Sequence, residues 1–152
     1  MPATLVVVDM QPQFKASNIP NVIVGVTREI LDAKRRKSGI ICLEYTPTES
    51  LGRTHDGFSS LIRGYRAKAR VTKKNDDGSK QVVDALRRRG FASHTLRICG
   101  VNTECCVAAT VNGLVERLDK TRIEVVKDAC ESEWERDYDW RSFIKHPRIK
   151  LI

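Results

Sequence analysis

Short apolar runs alternate along the chain with longer segments in which apolar residues recur every third or fourth position. Thr4 to Val8 is a continuous apolar and β-branched run ending in Asp9, which predicts a strand buried on both faces; Gln11 and Pro12 stop it. Val22, Ile23, Val26, Ile30 and Ala33 then share one helical face. Pro20 opens that helix, Asn18 or Asn21 is available as its cap, and Gly39 is placed to end it. Ile40 to Tyr45 predicts a second strand.

From Thr46 to Arg70 the periodicity dissolves into turn formers and basic residues, which predicts a long loop with a helical turn around Phe58 to Ile62. Val71 and Thr72 predict a short strand. A helix carrying Val82, Val83 and Leu86 follows, capped by Asp77 or Ser79 and ending at Gly90. Thr95 to Val101 is the next strand. A helix begins almost at once after it, with Val107, Val111, Leu114, Val115 and Leu118 at helical spacing, so Cys106 falls in its first turn. Ile123 to Val126 as a strand, Glu131 to Lys145 as an acidic then aromatic helix, and Ile149 to Ile152 as a short strand complete the chain.

Strand and helix alternating in this way predict a three-layer α-β-α sandwich around a mostly parallel, doubly wound sheet, with residues 1–152 as a single domain. In such sheets the site lies beyond the carboxyl ends of the strands, where the strand order reverses. Asp9, one of Lys73 and Lys74, and Cys106 all fall at or just past predicted strand ends.

Composition narrows the function. The 152 residues are 41% hydrophobic and 30% charged, which suits one folded core rather than a disordered chain. No apolar run reaches the length of a membrane span, and the N-terminal run lacks the flanks of a signal peptide, so a cytoplasmic protein with no membrane partner is expected. Five scattered cysteines, an odd number, read as reduced thiols. The net charge of +8 raises the question of a polyanionic partner. Lys34 to Lys37 and Arg87 to Arg89 fall at predicted helix C-termini, where cations complement the helix dipole, so nucleic acid is not an expected partner.

The thiol of Cys106 carries the chemistry. Free N–H groups in a helix first turn stabilise a thiolate, as does a nearby lysine, and the same N–H groups can hold a developing oxyanion. A carboxylate beside the pair can take the thiol proton and return it to a leaving amine, and Asp9 suits that work.

Val8-Asp9-Met10-Gln11 with Phe14, a lysine ahead of Asp77-Gly78-Ser79, and Gly100-Val101-Asn102-Thr103-Glu104-Cys105-Cys106-Val107 resemble, in order and spacing, the three signatures of isochorismatase-like cysteine hydrolases. The resemblance runs from Thr4 to about Ala129. It implies Cys106 as nucleophile, Asp9 as proton acceptor and a lysine as the stabilising cation, with Lys73 the better register and Lys74 the alternative. It further implies a cis peptide between Val101 and Asn102. Gln11, Phe14, Val101, Asn102 and Cys105, which stand around these residues in the matched motifs, are the candidates for substrate contact.

Nicotinamidases of that family carry an Asp-x-His metal cluster after the second strand, where this chain has Glu44-Tyr45-Thr46, so neither a metal nor another cofactor is expected. The resemblance therefore implies a hydrolase opening an amide or ureido C–N bond of a small molecule, in a homo-oligomer. Vinyl-ether hydrolysis through Asp9, and a non-catalytic basic binding module, are the alternatives. Phe14, Tyr45 and Phe58 are pocket candidates. Trp134, Tyr138 and Trp140 suit a core, a pocket or an interface, and Cys42, Cys99 and Cys130 suit the core.

Overall fold

All six strands fall where the sequence predicts them, the third and fifth running longer than expected, and their order places the reactive residues. In the computed structural model, which describes residues 3–48, 52–132 and 140–152, β1 (Thr4–Val8), β2 (Ile40–Tyr45), β3 (Lys68–Lys73), β4 (Thr95–Val101), β5 (Arg122–Glu131) and β6 (Ile149–Leu151) form one sheet in the order β3-β2-β1-β4-β5-β6. Every pairing is parallel. The order reverses between β1 and β4, which places the crevice at the carboxyl ends of those two strands.

Two cores share this sheet. On one face Val6, Val8, Ile41 and Leu43 pack with α3 (Ser79–Arg89) and α4 (Ala108–Arg117). On the other, Leu5, Val7, Ile40 and Cys42 pack with α1 (Pro20–Arg35) and α2 (Asp56–Leu61). Successive residues of β1 and β2 thus feed opposite cores, as period-2 side-chain alternation requires, which is why these strands read as unbroken apolar runs. The three-layer architecture is as expected, with a wholly rather than mostly parallel sheet.

Several local expectations are corrected. Helix α1 starts with Pro20 at its first position and Ile19 as N-cap; the Asn18 amide instead donates to the carbonyls of Pro12 and Phe14. The helix ends before Gly39: Lys37 takes the left-handed conformation, and a Cβ on Gly39 would meet the Phe91 ring at 2.6 Å. β3 begins at Lys68 rather than Val71, because an edge strand tolerates outward charged residues that break the apolar run. β5 continues to Glu131, with an irregularity between its pairs with Ile98 and Gly100. Residues 140–148 form turns rather than the end of a helix, Trp140 adopting φ +61, Glu131 at the expected helix start belongs to β5, and residues 133–139, with Trp134 and Tyr138, lie outside the described residues. Among the described residues no helix is long and apolar enough to cross a membrane.

Candidate active site

Asp9 leaves the end of β1 with φ +53, a left-handed conformation that aspartate tolerates better than most residues, and its side chain is fully buried. β4 reaches the same place by an unusually close approach: Gly100 has φ +127, and a Cβ there would lie 2.1 Å from the Val8 carbonyl oxygen. Asn102 then turns left-handed, with φ +62 and ψ 52, and Thr103–Val107 form one π-helical turn that runs into α4. The peptide bonds of the described residues are all trans, so the expected cis bond before Asn102 is corrected. The chain is turned instead by two positive φ angles, at Gly100 and Asn102.

Lys73 is the last residue of β3 and is buried along its whole length. Its Nζ lies 3.5 Å from Asp9 Oδ1, donates to the Asn75 carbonyl at 3.1 Å and sits 4.8 Å from the centre of the Tyr45 ring. Gly78 makes room for the stem, since a Cβ there would lie 2.8 Å from Lys73 Cδ and 2.5 Å from a Leu43 methyl. Lys74 is exposed and lines a different groove, with Glu44, Thr46 and Arg53. Of the two registers, the lysine that meets Asp9 is Lys73.

The Cys106 thiol is 5% exposed and closes the group. Burial, with the Asp9 carboxylate beside it, pushes the thiol well above its ordinary pKa, and Lys73 only partly offsets this. That direction favours the protonated thiol over its thiolate. Burial also raises the Asp9 carboxyl, against the pull of Lys73 and of hydrogen bonds from Cys106 and Asn102. Asp9 Oδ1 is held by the Lys73 ion pair at 3.5 Å, while Asn102 Nδ2 approaches Oδ2 at 3.4 Å. The arrangement can move one proton between Sγ and Asp9, with an ammonium beside the carboxylate.

The neighbouring candidates take different positions. Asn102 is buried, with Nδ2 at 3.4 Å from Asp9 Oδ2. Val101 points into the core beside Val126 and Ala129, and Cys105 is partly buried against the α3–α4 side. Gln11 is buried and acts like a strand peptide: its Oε1 accepts from the Tyr45 N–H at 2.7 Å, and its Nε2 donates to the carbonyls of Tyr45 at 2.9 Å and Gly52 at 2.7 Å. Phe14 is half-buried, with its ring 6.2 Å from that of Tyr45. Phe58 is core, packed edge-on to the His55 ring, which corrects its place among the pocket candidates.

Cys42, Cys99 and Cys130 are buried free thiols, and burial drives Cys42 and Cys130 up to about 12, well out of reach of neutral-pH chemistry. Glu44, on β2, accepts from Arg70 at 2.6 Å and from the Thr54 N–H and hydroxyl, each at 2.7 Å, so its carboxylate is engaged by protein donors. Among the described residues no group of three His, Cys, Asp or Glu side chains is placed to hold a metal ion.

One residue at the site escapes the sequence reading. Asp76, exposed in the turn after β3, has Oδ1 at 3.8 Å from Cys106 Sγ, and the Thr110 hydroxyl, 3.4 Å from its carbonyl, helps hold the turn. Two acids precede Gly78, and Asp77 satisfies the first N–H of α3. Which of the two faces the thiol depends on the turn geometry rather than on the motif.

The isochorismatase domain model matches residues 3–141. No match is found among curated proteins. Among solved structures, the MAR1 ribonuclease of Caenorhabditis elegans is similar at 26% identity and a TM-score of 0.71, over 86% of this chain and 65% of that one, so this chain spans about two-thirds of that protein's length. The nicotinamidase of Staphylococcus aureus aligns at 19% identity and a TM-score of 0.73, over 87% of this chain and 85% of that one. N-carbamoylsarcosine amidase of Thermoplasma acidophilum aligns at 22% identity and a TM-score of 0.69, over 99% and 95%.

Proposed function

Because this chain belongs to the isochorismatase family of hydrolases, we propose that it is a cysteine-dependent hydrolase that opens an amide or ureido C–N bond of a small molecule through a thioester on Cys106. The observation that carries this reading is the buried group itself: a thiol, a carboxylate and an ammonium from three separate stretches of chain, with Lys73 Nζ at 3.5 Å from Asp9.

The chemistry runs from those atoms. Sγ attacks the substrate carbonyl carbon as Asp9 takes the thiol proton, so the nucleophile is generated only during attack. Lys73 offsets the charge of Asp9 before transfer and stays beside the protonated carboxyl after it. Main-chain N–H groups of the Asn102–Cys106 turn, other than that of Cys105, which donates to the Asn102 carbonyl at 3.0 Å, serve the oxyanion of the tetrahedral intermediate. Asp9 then returns its proton to the leaving nitrogen, the C–N bond breaks, and the acyl group stays on sulfur. Water, deprotonated by Asp9, cleaves the thioester, and the proton goes back to Sγ.

Asn102 steadies Asp9, while Phe14, Gln11, Cys105 and the main chain of Val101 belong to the substrate side of the site. The likeness to the MAR1 ribonuclease makes RNA a necessary comparison substrate, and a reaction through Asp9 alone calls for a vinyl ether. A buried thiol beside a buried carboxylate favours attack on a carbonyl, because neither of those reactions uses a sulfur.

Steady-state turnover of a panel of primary amides, N-carbamoyl compounds, a vinyl ether and an RNA oligomer tests the reading. Turnover of an amide or ureide that is lost in both Cys106→Ala and Asp9→Asn is expected. Vinyl-ether or RNA hydrolysis that survives Cys106→Ala would overturn it.

A further inference from the structure

Cations are unevenly partnered over this fold. Around α1, β4 and β5 the arginines meet carboxylates: Arg28 with Asp128, Arg35 and Arg36 with Asp32, and Arg97 with Glu29 and Glu124. The edge of the sheet formed by β3 is different. Three adjoining grooves with volumes of about 720, 500 and 330 Å³ run along it, and Arg70 is a wall of all three.

Lys68 and Arg70 come from β3 and Lys74 directly follows it; Arg53 comes from the segment before α2. The last turn of α3 swings Arg87, Arg88 and Arg89 to the same edge. Among the described residues two carboxylates, Glu44 and Asp84, line the grooves against these seven cations. Glu44 is buried under Arg70, and Asp84 faces Lys80 at 3.1 Å. Among the described residues Arg53, Lys74, Arg87 and Arg88 have no carboxylate partner. A helix dipole accounts for three arginines closing α3. It does not account for four further cations gathered opposite them.

We propose that this edge docks nucleic acid by its phosphate backbone, without reading its sequence. Five of the seven cations are arginines, whose forked guanidinium matches two phosphate oxygens at once. The seven cations line three grooves that share Arg70 at the edge of a six-residue strand, roughly 20 Å of chain, which suits a row of phosphates rather than a single small anion. Among the described residues no aromatic side chain lines the grooves, so these walls offer bases no stacking platform. Ile62 and Val71 are buried, so the exposed apolar anchor of a peptide interface is lacking too. A second copy of this chain docked edge to edge would set like charges against one another. The inference is independent of the reaction at Cys106.

Fluorescence anisotropy of a labelled oligouridylate of about 20 nucleotides with the whole protein, between roughly 50 and 200 mM salt, tests it. Neutralisation by the six cations other than Arg70 gives an expected slope of log K against log salt of about −4. Lys74→Ala/Arg87→Ala/Arg88→Ala, all exposed positions, should flatten the slope by about 2 and weaken binding roughly tenfold or more. The charge-matched control Lys120→Ala/Lys127→Ala/Lys150→Ala, on the β5–β6 side and also exposed, should keep the wild-type slope, with circular dichroism confirming that both variants fold. A DNA oligomer should compete as well as RNA. No binding at the lowest salt, equal weakening in both triple variants, or equal competition per charge by polyglutamate or phosphatidylserine vesicles would each overturn the proposal.

Discussion

Replacing Lys73 by Met keeps the length of a fully buried side chain and deletes its charge, leaving the Asp9 carboxylate without its counter-ion. At the observed 3.5 Å and an effective dielectric of about 20, the lost attraction is about 5 kcal/mol. Removing one partner of a buried pair costs about 3–5 kcal/mol, a large share of the 5–15 kcal/mol typical of a whole domain. The loss depends on pH in a direction the burial fixes. The Asp9 carboxyl is already raised, and without Lys73 it rises further. Stability from the neutral carboxyl is fully present below the unfolded pKa of about 3.9 and is lost as pH rises through the folded value. Urea unfolding followed by circular dichroism should therefore show Lys73→Met losing about 3–5 kcal/mol near pH 8 and distinctly less near pH 5. Adding Asp9→Asn removes the stranded charge and should bring the double variant to within about 2 kcal/mol of the wild type. An equal loss at both pH values, or a double variant no better than Lys73→Met, would refute a buried pair in this geometry.

Asp9→Asn alone should lower turnover about 10²- to 10⁴-fold, the range for loss of a general base, measured as kcat/KM on the amide found in the panel. Because Asp9 must be ionised to accept the thiol proton, and burial raises its carboxyl, the acid limb of the pH–rate profile should lie above the ordinary carboxylate range, as a stopped-flow or pH-stat series would record. Asp76→Asn removes a negative charge 3.8 Å from the sulfur, so the Cys106 thiol pKa should fall and its alkylation by iodoacetamide at neutral pH should accelerate; an unchanged rate would place the Asp76 carboxylate away from the thiol in solution. Gly100→Ala sets a Cβ 2.1 Å from the Val8 carbonyl at φ +127, and thermal unfolding should show a loss of about 3 kcal/mol or more, or no folded protein.

The sheet was legible because its central strands are largely buried on both faces and so appear as mostly apolar runs, Thr4–Val8 unbroken and Thr95–Val101 interrupted only by Arg97. β3 was read short because, at the edge, Lys68 and Arg70 interrupt the apolar pattern without costing burial. Asp9 and Cys106 could be singled out by motif and by their place beyond strand ends, and Lys73 by the register of the turn before α3. Other features depend on distances that no spacing encodes. The direction of the Cys106 shift reflects how deeply the thiol and Asp9 are buried together, and Asp76 enters through one turn. The cationic β3 edge exists only because α3 returns its last turn to the strand that begins the same crossover.

The proposed reaction moves the substrate's acyl group onto one sulfur, that of Cys106. Rapid quench of the enzyme with its amide substrate, followed by intact-mass and peptide analysis, should find the acyl mass on Cys106, with none on Cys105 and none in Cys106→Ala. Full turnover accompanied by no adduct on Cys106 at any quench time, together with undiminished activity in Cys106→Ala, would contradict the account.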